Sequence, residues 1–194
     1  ALPVISSLMA VERTPRASDP PARVTTGRDW TRAEVVRDPL FYLLLLGVMA
    51  PGFIGTTIAF HQVYLVDLRG WTLEIFASAF TVSASMTVVF ALISGQLIDR
   101  FSAVAMLPAF LLPLAIACFV LATFDAQWSV FVFMGLLGMS NGFSSTLLGA
   151  LWPEIYGVRH LGAVRALIVA ILVFATGAAP GLTGYLIDIG VSYP

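Results

Sequence analysis

Long apolar runs without a charged residue follow one another through most of this chain. They cover residues 39–66, 75–98, 101–124, 126–153 and 166–187. Each is longer than the about 20 residues with which an α-helix, rising about 1.5 Å per residue, crosses a hydrocarbon core about 30 Å thick. Because buried helices of soluble proteins seldom run so far without a charge, the pattern predicts five transmembrane helices in an all-α membrane protein.

The composition changes this picture only by excluding other classes of protein. Of the 194 residues, 59% are hydrophobic and 11% are charged, and the mean hydropathy is +0.93. A soluble domain of this size could not bury so much apolar surface, so we expect the lipid bilayer to surround the chain. The formal net charge is -1, which gives no reason to expect nucleic acid as a partner.

The arginines indicate how the helices are oriented. All 10 basic residues are Arg, and most of them lie between residues 11 and 38. If the five runs alternate in direction, Arg100, Arg159 and Arg165 fall on the same side of the membrane as that segment. Cytoplasmic loops carry the excess of basic residues, so we expect this side to be cytoplasmic and Arg69 alone to lie outside.

The less apolar segments suggest how the chain is divided. Residues 1–11 are apolar but too short to span, and we interpret them as the tail of a preceding transmembrane helix. Residues 12–38 are rich in Arg and Pro and predict a cytoplasmic central loop, for which binding of anionic lipid is an alternative role. Within it, Thr31 and Glu34 have the spacing of a capping box and predict a short helix. Residues 39–194 are expected to form a carboxyl-terminal helix bundle that lacks its last helix.

Small residues recur along two of the runs. Glycines on one side of a helix predict close contact between helix backbones, which is a main way that helices associate in lipid. They are Gly135, Gly138, Gly142 and Gly149 in the fourth run and Gly177, Gly181 and Gly184 in the fifth. Because proline lacks a backbone N–H, we also expect kinks at Pro51 and Pro180.

A short motif ends the second run and returns at the end of the fifth. Residues 95–99 read Gly-Gln-Leu-Ile-Asp, and residues 184–188 read Gly-Tyr-Leu-Ile-Asp. Three spans lead from the first copy to the second, and an odd number of spans inverts the second copy. Inverted three-helix repeats build the halves of many transporters, so the repeat favours a transporter.

Together with Arg100, the first copy resembles the G-x-L-x-D-R loop signature of the major facilitator superfamily of transporters. Where that family continues with Gly and a basic cluster, residues 102–104 of this chain read Ser-Ala-Val. Residues 30–41, 60–62 and 153–162 are similar to helices seven, ten and eleven of bacterial members near the monocarboxylate and oxalate/formate antiporter branch.

This resemblance implies half of a major facilitator bundle, with five full transmembrane helices plus a helix stub. It implies a small-molecule solute and the amino-terminal half of the same transporter as partners, in the bacterial inner (plasma) membrane. It also implies that the third run faces lipid. Organic-anion carriers of that branch often have a basic residue in helix eight or eleven. The second and fifth runs have none, so this half does not support a carboxylate substrate.

Polar residues inside spans are costly in lipid and tend to face a cavity or a helix interface. Since the resemblance implies that the first, second and fourth runs line a central path, we expect their polar residues to form the solute path. These residues are Thr57, His61, Tyr64, Ser78, Thr81, Ser85, Asn141, Ser144 and Ser145. The alternative for the hydroxyl residues is a hydrogen bond within their own helix, and for His61 it is an interfacial position.

The resemblance also implies a cytoplasmic gate at the motif loop. Its expected members are Gly95, Asp99 and Arg100, joined by Glu154, Arg159 and Arg165 from the next cytoplasmic loop. A carboxylate beside a helix N-terminus is favoured by the helix dipole, which is a physical reason for an acid at such a gate. The alternative is a set of ordinary interfacial charges at helix ends.

No enzyme constellation is evident in this sequence. His61 and His160 are the only histidines and are expected on opposite sides of the membrane, so they cannot share a metal site. Cys118 is the single cysteine and lies in an apolar run. We therefore expect no cofactor, no metal and no catalysis, and we interpret the chain as a secondary active transporter that works by alternating access. The alternative is another polytopic membrane protein, such as a receptor or channel subunit.

Overall fold

The computed structural model describes residues 28–191, and all the regular structure in this range is helical. The helices are α1 (Arg32–Val35), α2 (Pro39–Phe60), α3 (Gln62–Arg69), α4 (Leu73–Phe101), α5 (Ala103–Thr123), α6 (Trp128–Tyr156) and α7 (Leu161–Asp188). By length and composition, α2 and α4 to α7 can each cross a membrane. The predicted all-α membrane fold with five spanning helices is confirmed. The predicted helix tail at residues 1–11 lies outside the described residues.

Local sequence signals account for several helix ends. The Glu34 carboxylate accepts hydrogen bonds from the Thr31 backbone N–H and hydroxyl, both at 2.8 Å, so the predicted capping box is confirmed. Asp38 caps α2 by accepting from the Leu40 N–H at 3.0 Å, directly before Pro39 at the first helical position. Gly70 ends α3 in the left-handed conformation that glycine adopts without strain.

The first predicted span is interrupted near its end. Its apolar run continues to residue 66, but α2 ends at Phe60 and α3 begins at Gln62. His61 lies between them with φ −100° and ψ 17°, outside the helical range, and it flanks both helices. The apolar pattern did not reveal this break because no charged residue interrupts the run from 39 to 66.

Helix α6 is the centre of the described bundle. It contacts α2, α4, α5 and α7, while α4 also contacts α5 and α2 also contacts α7. Since a Cβ on Gly47 of α2 would lie 3.3 Å from Leu111 Cδ1 of α5, the described order around α6 is α4, α5, α2 and α7. Within this arrangement α4 runs alongside α6 and α2 runs alongside α7.

The glycines of α6 allow its backbone to approach α4. A Cβ atom on Gly142 would lie 2.6 Å from the Thr87 carbonyl oxygen, and one on Gly138 would lie 3.0 Å from Met86 Cβ. Hydroxyl groups reinforce the contact, since Thr87 donates to the Gly138 carbonyl at 3.2 Å and Ser94 donates to Thr146 at 3.0 Å. The predicted packing role of these two glycines is confirmed.

The glycines of α7 behave differently. Cβ atoms on Gly177 and Gly181 would meet nothing within 4 Å among the described residues, whereas one on Gly184 would lie 3.7 Å from His61 Nε2. The buried side chains of α7, which include Ala175 and Ala179, lie on the opposite face of the helix. Gly177 and Gly181 therefore face away from the described bundle, contrary to the expectation that this stripe packs within it.

Two further features of the fold are the prolines inside α2 and α7 and the exposed face of α5. Helices α2 and α7 continue through Pro51 and Pro180, and the predicted kinks at these positions stay a prediction. Helix α5 buries one face against α6 and leaves the opposite face exposed, with Leu112, Ile116 and Phe119 on it. This exposed apolar face agrees with the lipid-facing position expected of the third run.

Candidate functional site

Polar groups of α2 and α7 meet near the ends of these helices that lie beside α3. The hydroxyl oxygens of Thr57 and Thr183 are 3.5 Å apart. His61 Nδ1 lies 3.1 Å from the Thr57 carbonyl oxygen, and the other ring nitrogen of His61 faces Gly184 on α7. Two of the predicted path residues therefore come together, and they do so with two residues of α7. We call Thr57, His61 and Thr183 the α2–α7 polar cluster.

Two features of this cluster could not be seen in the sequence. Thr183 was not expected in the path, because nothing in the apolar runs shows that α2 and α7 lie side by side. Tyr64 follows Thr57 by seven residues, a spacing that would place it on the face of His61 in an unbroken helix, but the break places Tyr64 on α3, where 42% of its surface is exposed. The i, i+4 spacing of Thr57 and His61 was the one sequence signal that indicated part of this cluster.

The predicted path residues of α4 lie on an exposed side of that helix. Ser78, Thr81 and Ser85 are all exposed, whereas Thr87 lies on the side that contacts α6. The Ser78 hydroxyl donates to the Ile75 carbonyl at 2.7 Å, and the Ser85 hydroxyl donates to the Thr81 carbonyl at 2.8 Å. The hydrogen bonds of Ser78 and Ser85 thus stay within α4, as in the alternative interpretation. The face of α4 that carries all three residues is exposed in the described bundle.

The predicted path residues of α6 differ in their burial. Asn141 is half-buried, Ser144 is 8% exposed, and Ser145 is exposed and donates to the Gly142 carbonyl at 2.8 Å. Within the described part of the chain the Ser144 hydroxyl has no hydrogen-bond partner. By their i, i+3, i+4 spacing the three residues share one face of α6, which runs from a buried edge at Ser144 to an exposed edge at Ser145.

The motif loop joins α4 to α5 through an unusual backbone conformation. Asp99 and Arg100 are exposed at the end of α4, and the Arg100 guanidinium lies 5.4 Å from the centre of the Phe101 ring. Ser102 follows with φ 91° and ψ 154°, and its hydroxyl accepts from the Ala105 N–H at 3.3 Å. Ser102 stands where the loop signature has glycine, the residue that adopts such a positive φ without strain.

Glu154 connects this loop to α6. Its carboxylate accepts a hydrogen bond from the Ala103 N–H at 2.8 Å, at the first residue of α5. A carboxylate at a helix N-terminus pairs with an otherwise unbonded N–H and with the positive end of the helix dipole. Glu154 thus contacts the motif loop through the backbone of α5. Gly95 lies beside α6, since a Cβ there would be 3.9 Å from Thr146 Cγ2.

The two other expected gate residues have separate contacts. The Arg165 guanidinium donates to the Gly149 carbonyl at 3.0 Å and so links α7 to α6. Arg159 is exposed in the turn between α6 and α7, and its backbone N–H donates to Asp29 at 3.3 Å. The structure therefore places the expected gate residues at one end of the bundle.

A segment that sequence reasoning treated as loop lies against this same end of the bundle. We call residues 28–38 the α1 strap. Its Trp30 N–H donates to the Tyr156 carbonyl at 3.0 Å, and the two rings meet edge to face with centres 5.6 Å apart. The Tyr156 hydroxyl donates to Asp38 at 2.8 Å, and Asp29 accepts from the Val158 N–H at 3.2 Å. The strap thereby fixes the turn between α6 and α7.

Glu34 stabilises the strap itself. Hydrogen bonds from the Thr31 backbone and side chain, together with the charge of Arg28, lower the pKa of the Glu34 carboxyl group. The Arg28 guanidinium also pairs directly with the Glu34 carboxylate. A lowered pKa favours the ionised carboxylate, which is the form that accepts all these hydrogen bonds.

Arg69 lies at the opposite end of the bundle and is the one arginine expected outside. Its side chain is 8% exposed, and its guanidinium donates to the Leu121 carbonyl at 2.8 Å and the Phe124 carbonyl at 2.9 Å. It also pairs with Asp125. These are the last carbonyls of α5, which an arginine stabilises at a helix C-terminus. A structural cap therefore accounts for this exception to the arginine distribution.

No group of three or more His, Cys, Asp or Glu side chains that could hold a metal ion occurs in residues 28–191.

Comparison with known proteins adds the family. A family model described as the MFS_1 like family matches residues 4–192, which is nearly the whole chain. No curated protein and no solved structure matches the chain.

Proposed function

The chain belongs to the MFS_1 like family of the major facilitator superfamily, whose members are membrane transporters, and from this we propose that it moves a small solute by alternating access. The observation that carries the proposal is the family match across all five helices that can span a membrane. Family membership indicates a transporter rather than an enzyme. The five helices support an integral membrane protein, and we propose the bacterial inner membrane as its location.

The proposed solute path runs past the α2–α7 polar cluster. Polar groups are expensive inside a hydrocarbon layer, so their placement at a helix interface favours a functional or packing role for them. Thr57 and Thr183 offer hydroxyl groups, and His61 offers an imidazole at the break between α2 and α3. This set suits a polar solute that is recognised by hydrogen bonds.

The proposed cytoplasmic gate is the region around the motif loop. Glu154 bonds the first N–H of α5, and the α1 strap holds the turn that follows α6. In our proposal the amino-terminal half of the transporter closes against this end when the path is open to the outside. Proximity to the oxalate/formate branch remains part of the proposal, and neither α4 nor α7 carries a basic residue in its apolar run to support an organic anion.

A counterflow experiment tests the proposed function. The intact protein is reconstituted into liposomes loaded with a high concentration of one unlabelled solute, and entry of the same labelled solute is followed. Alternating access predicts transient accumulation of label above equilibrium for at least one solute of a panel. The Thr57→Val variant should reduce that accumulation, whereas Thr123→Val should not, because Thr123 is exposed on α5 and bonds only its own helix in the described contacts.

The alternatives give different results in the same liposomes. A channel subunit would show ion conductance without counterflow, and a receptor would bind a ligand without moving it. Either result, obtained with protein shown to be folded and inserted, would contradict the proposed function.

A further inference from the structure

Pro153 leaves a backbone carbonyl of α6 without its usual partner. Helix α6 continues to Tyr156, so Pro153 lies inside it, near its end. In an α-helix each carbonyl accepts from the N–H four residues later, and the residue four positions after Gly149 is Pro153. Proline has no backbone N–H, so the α-helical bond to the Gly149 carbonyl cannot form. A helix is weakened or kinked where such a bond is missing.

A side chain of α7 supplies a donor to this carbonyl. The Arg165 guanidinium donates through Nη2 to the Gly149 carbonyl oxygen at 3.0 Å. Hydrogen bonds from charged donors are stronger than those between neutral groups, so this bond can replace the one that Pro153 cannot make. The contact does not require glycine, because a Cβ at position 149 would lie 3.7 Å from Nη2, which is an ordinary packing distance.

The helix dipole does not account for an arginine at this position. Arg165 lies near the beginning of α7, which starts at Leu161, and positive charge is disfavoured at the N-terminal end of a helix. Helix α7 packs mainly on α2, and Arg165 reaches past that interface to α6. The bond to the carbonyl that Pro153 leaves unpaired gives the guanidinium a favourable contact that its own helix does not.

The end of α6 beyond Pro153 carries contacts of the proposed cytoplasmic gate. Glu154 accepts from the first N–H of α5, and the Tyr156 carbonyl accepts from the Trp30 N–H of the α1 strap. Both contacts would shift together if α6 bent at Pro153. Arg165 is exposed, so its bond to α6 can break and form again without burying a charge.

We propose that Arg165 is a positioning residue of the cytoplasmic gate. Its guanidinium takes the place of the N–H that Pro153 lacks, and it thereby sets the direction of the last turn of α6. The role in gating rests on the proposed transport function, whereas the replacement of the proline N–H is a structural property that can be measured separately.

Hydrogen exchange of the intact protein in liposomes, followed by mass spectrometry, tests the structural part. Arg165→Met keeps a long side chain but removes its donors, so the amides of residues 157–159, which follow α6, should exchange several-fold faster. Pro153→Ala restores a helical N–H to the Gly149 carbonyl. In the Pro153→Ala background, Arg165→Met should therefore leave the exchange of these amides unchanged.

The neighbouring arginine provides a matched control. The described bond of Arg159 to Asp29 comes from its backbone N–H, so Arg159→Met should leave exchange as in the wild type. If Arg165→Met speeds exchange equally with and without Pro153→Ala, or does not speed it at all, the arginine does not replace the proline N–H and the proposal is overturned. Should Arg165→Met fail to accumulate, recovery of folded protein on adding Pro153→Ala is expected, and its failure would contradict the proposal.

Counterflow in the same liposomes tests the role in the gate. For a solute that the wild type moves, Arg165→Met should lower the maximal rate several-fold and leave the half-saturating concentration unchanged, because the α2–α7 polar cluster is untouched. Adding Pro153→Ala should recover most of the rate. A wild-type rate in Arg165→Met, despite faster exchange, would overturn the positioning role. If no solute gives counterflow even in the wild type, the proposed function fails, while the exchange measurement still decides whether Arg165 replaces the proline N–H.

Discussion

Ser102 holds a backbone conformation that is ordinarily reserved for glycine. With φ 91° and ψ 154° it lies in a region that costs a non-glycine residue about 1–3 kcal/mol. Glycine would lose the hydroxyl that caps Ala105, at a cost of a few tenths of a kcal/mol, and some entropy. We therefore expect Ser102→Gly to stabilise the protein by about 1 kcal/mol, visible as a higher apparent unfolding temperature in detergent.

The alanine variant is the control for this prediction. Ser102→Ala keeps the side-chain clash and removes the cap, so it should destabilise the protein by about 1 kcal/mol. The expected order of stability is glycine, then serine, then alanine at this position. If glycine ranked below serine, the positive φ would not be a source of strain in the folded protein.

His61 gives the second prediction at this scale. His61→Ala should impair uptake while leaving the amount of protein in the membrane unchanged, because the side chain lies in the α2–α7 polar cluster and not in a packed core. His61→Gln keeps a hydrogen-bonding group and should do less harm if no proton is needed. Uptake is measured across roughly pH 5 to 8, the range in which histidines ordinarily change charge.

The other histidine provides a matched control. His160 is exposed in the turn before α7, and His160→Ala should transport normally. Wild-type kinetics of His61→Ala at every pH in this range would leave only the interfacial interpretation of His61.

At the scale of helices, the contact between α4 and α6 leaves the least room for an added side chain. A Cβ on Gly142 would lie 2.6 Å from the Thr87 carbonyl oxygen and 2.9 Å from the Ala91 nitrogen, both of them backbone atoms that cannot move alone. Gly142→Ala should therefore cost about 1–3 kcal/mol, as overpacking does. Gly177→Ala, on the open face of α7, should be tolerated. The measurement is the yield of monodisperse protein; equal yields of the two variants would contradict the packing role.

The same scale shows how far the sequence could predict the fold. The five spans were predictable because charged residues are excluded from hydrocarbon, and the glycines at residues 138 and 142 were predictable because close backbone contact requires small residues. The pairing of α2 with α7 was not predictable. In a bilayer both the lipid-facing and the buried side of a helix are apolar, so hydrophobicity does not mark the buried face. Thr183 was missed for that reason.

For the whole molecule, the limits of sequence reading lie in contacts between distant segments. The polar composition of residues 28–38 indicates a loop, and only tertiary structure shows Asp29 and Trp30 held against the turn after Tyr156. Arg69 likewise counted as an exception to the arginine distribution until its carbonyl partners at the end of α5 were known. Both cases depend on residues far apart in the chain, which no local pattern connects.

The last prediction concerns the orientation of the molecule in the membrane. The strap and the loops that carry Arg100 and Arg159 gather at one end of the bundle, through Tyr156 and Glu154, whereas Arg69 lies at the other end. An excess of arginine marks the cytoplasmic side, since basic loops are retained there.

With Cys118 replaced by Ser, an impermeant maleimide added to intact cells should label an Ala126→Cys variant. An Arg100→Cys variant should react only after the cells are permeabilised. The Ala126 position lies in the turn between α5 and α6, where it is exposed and its side chain makes no hydrogen bond, so the substitution should not disturb the Arg69 cap. Labelling of the Arg100→Cys variant from outside intact cells would invert the topology and, with it, the assignment of the gate to the cytoplasmic side.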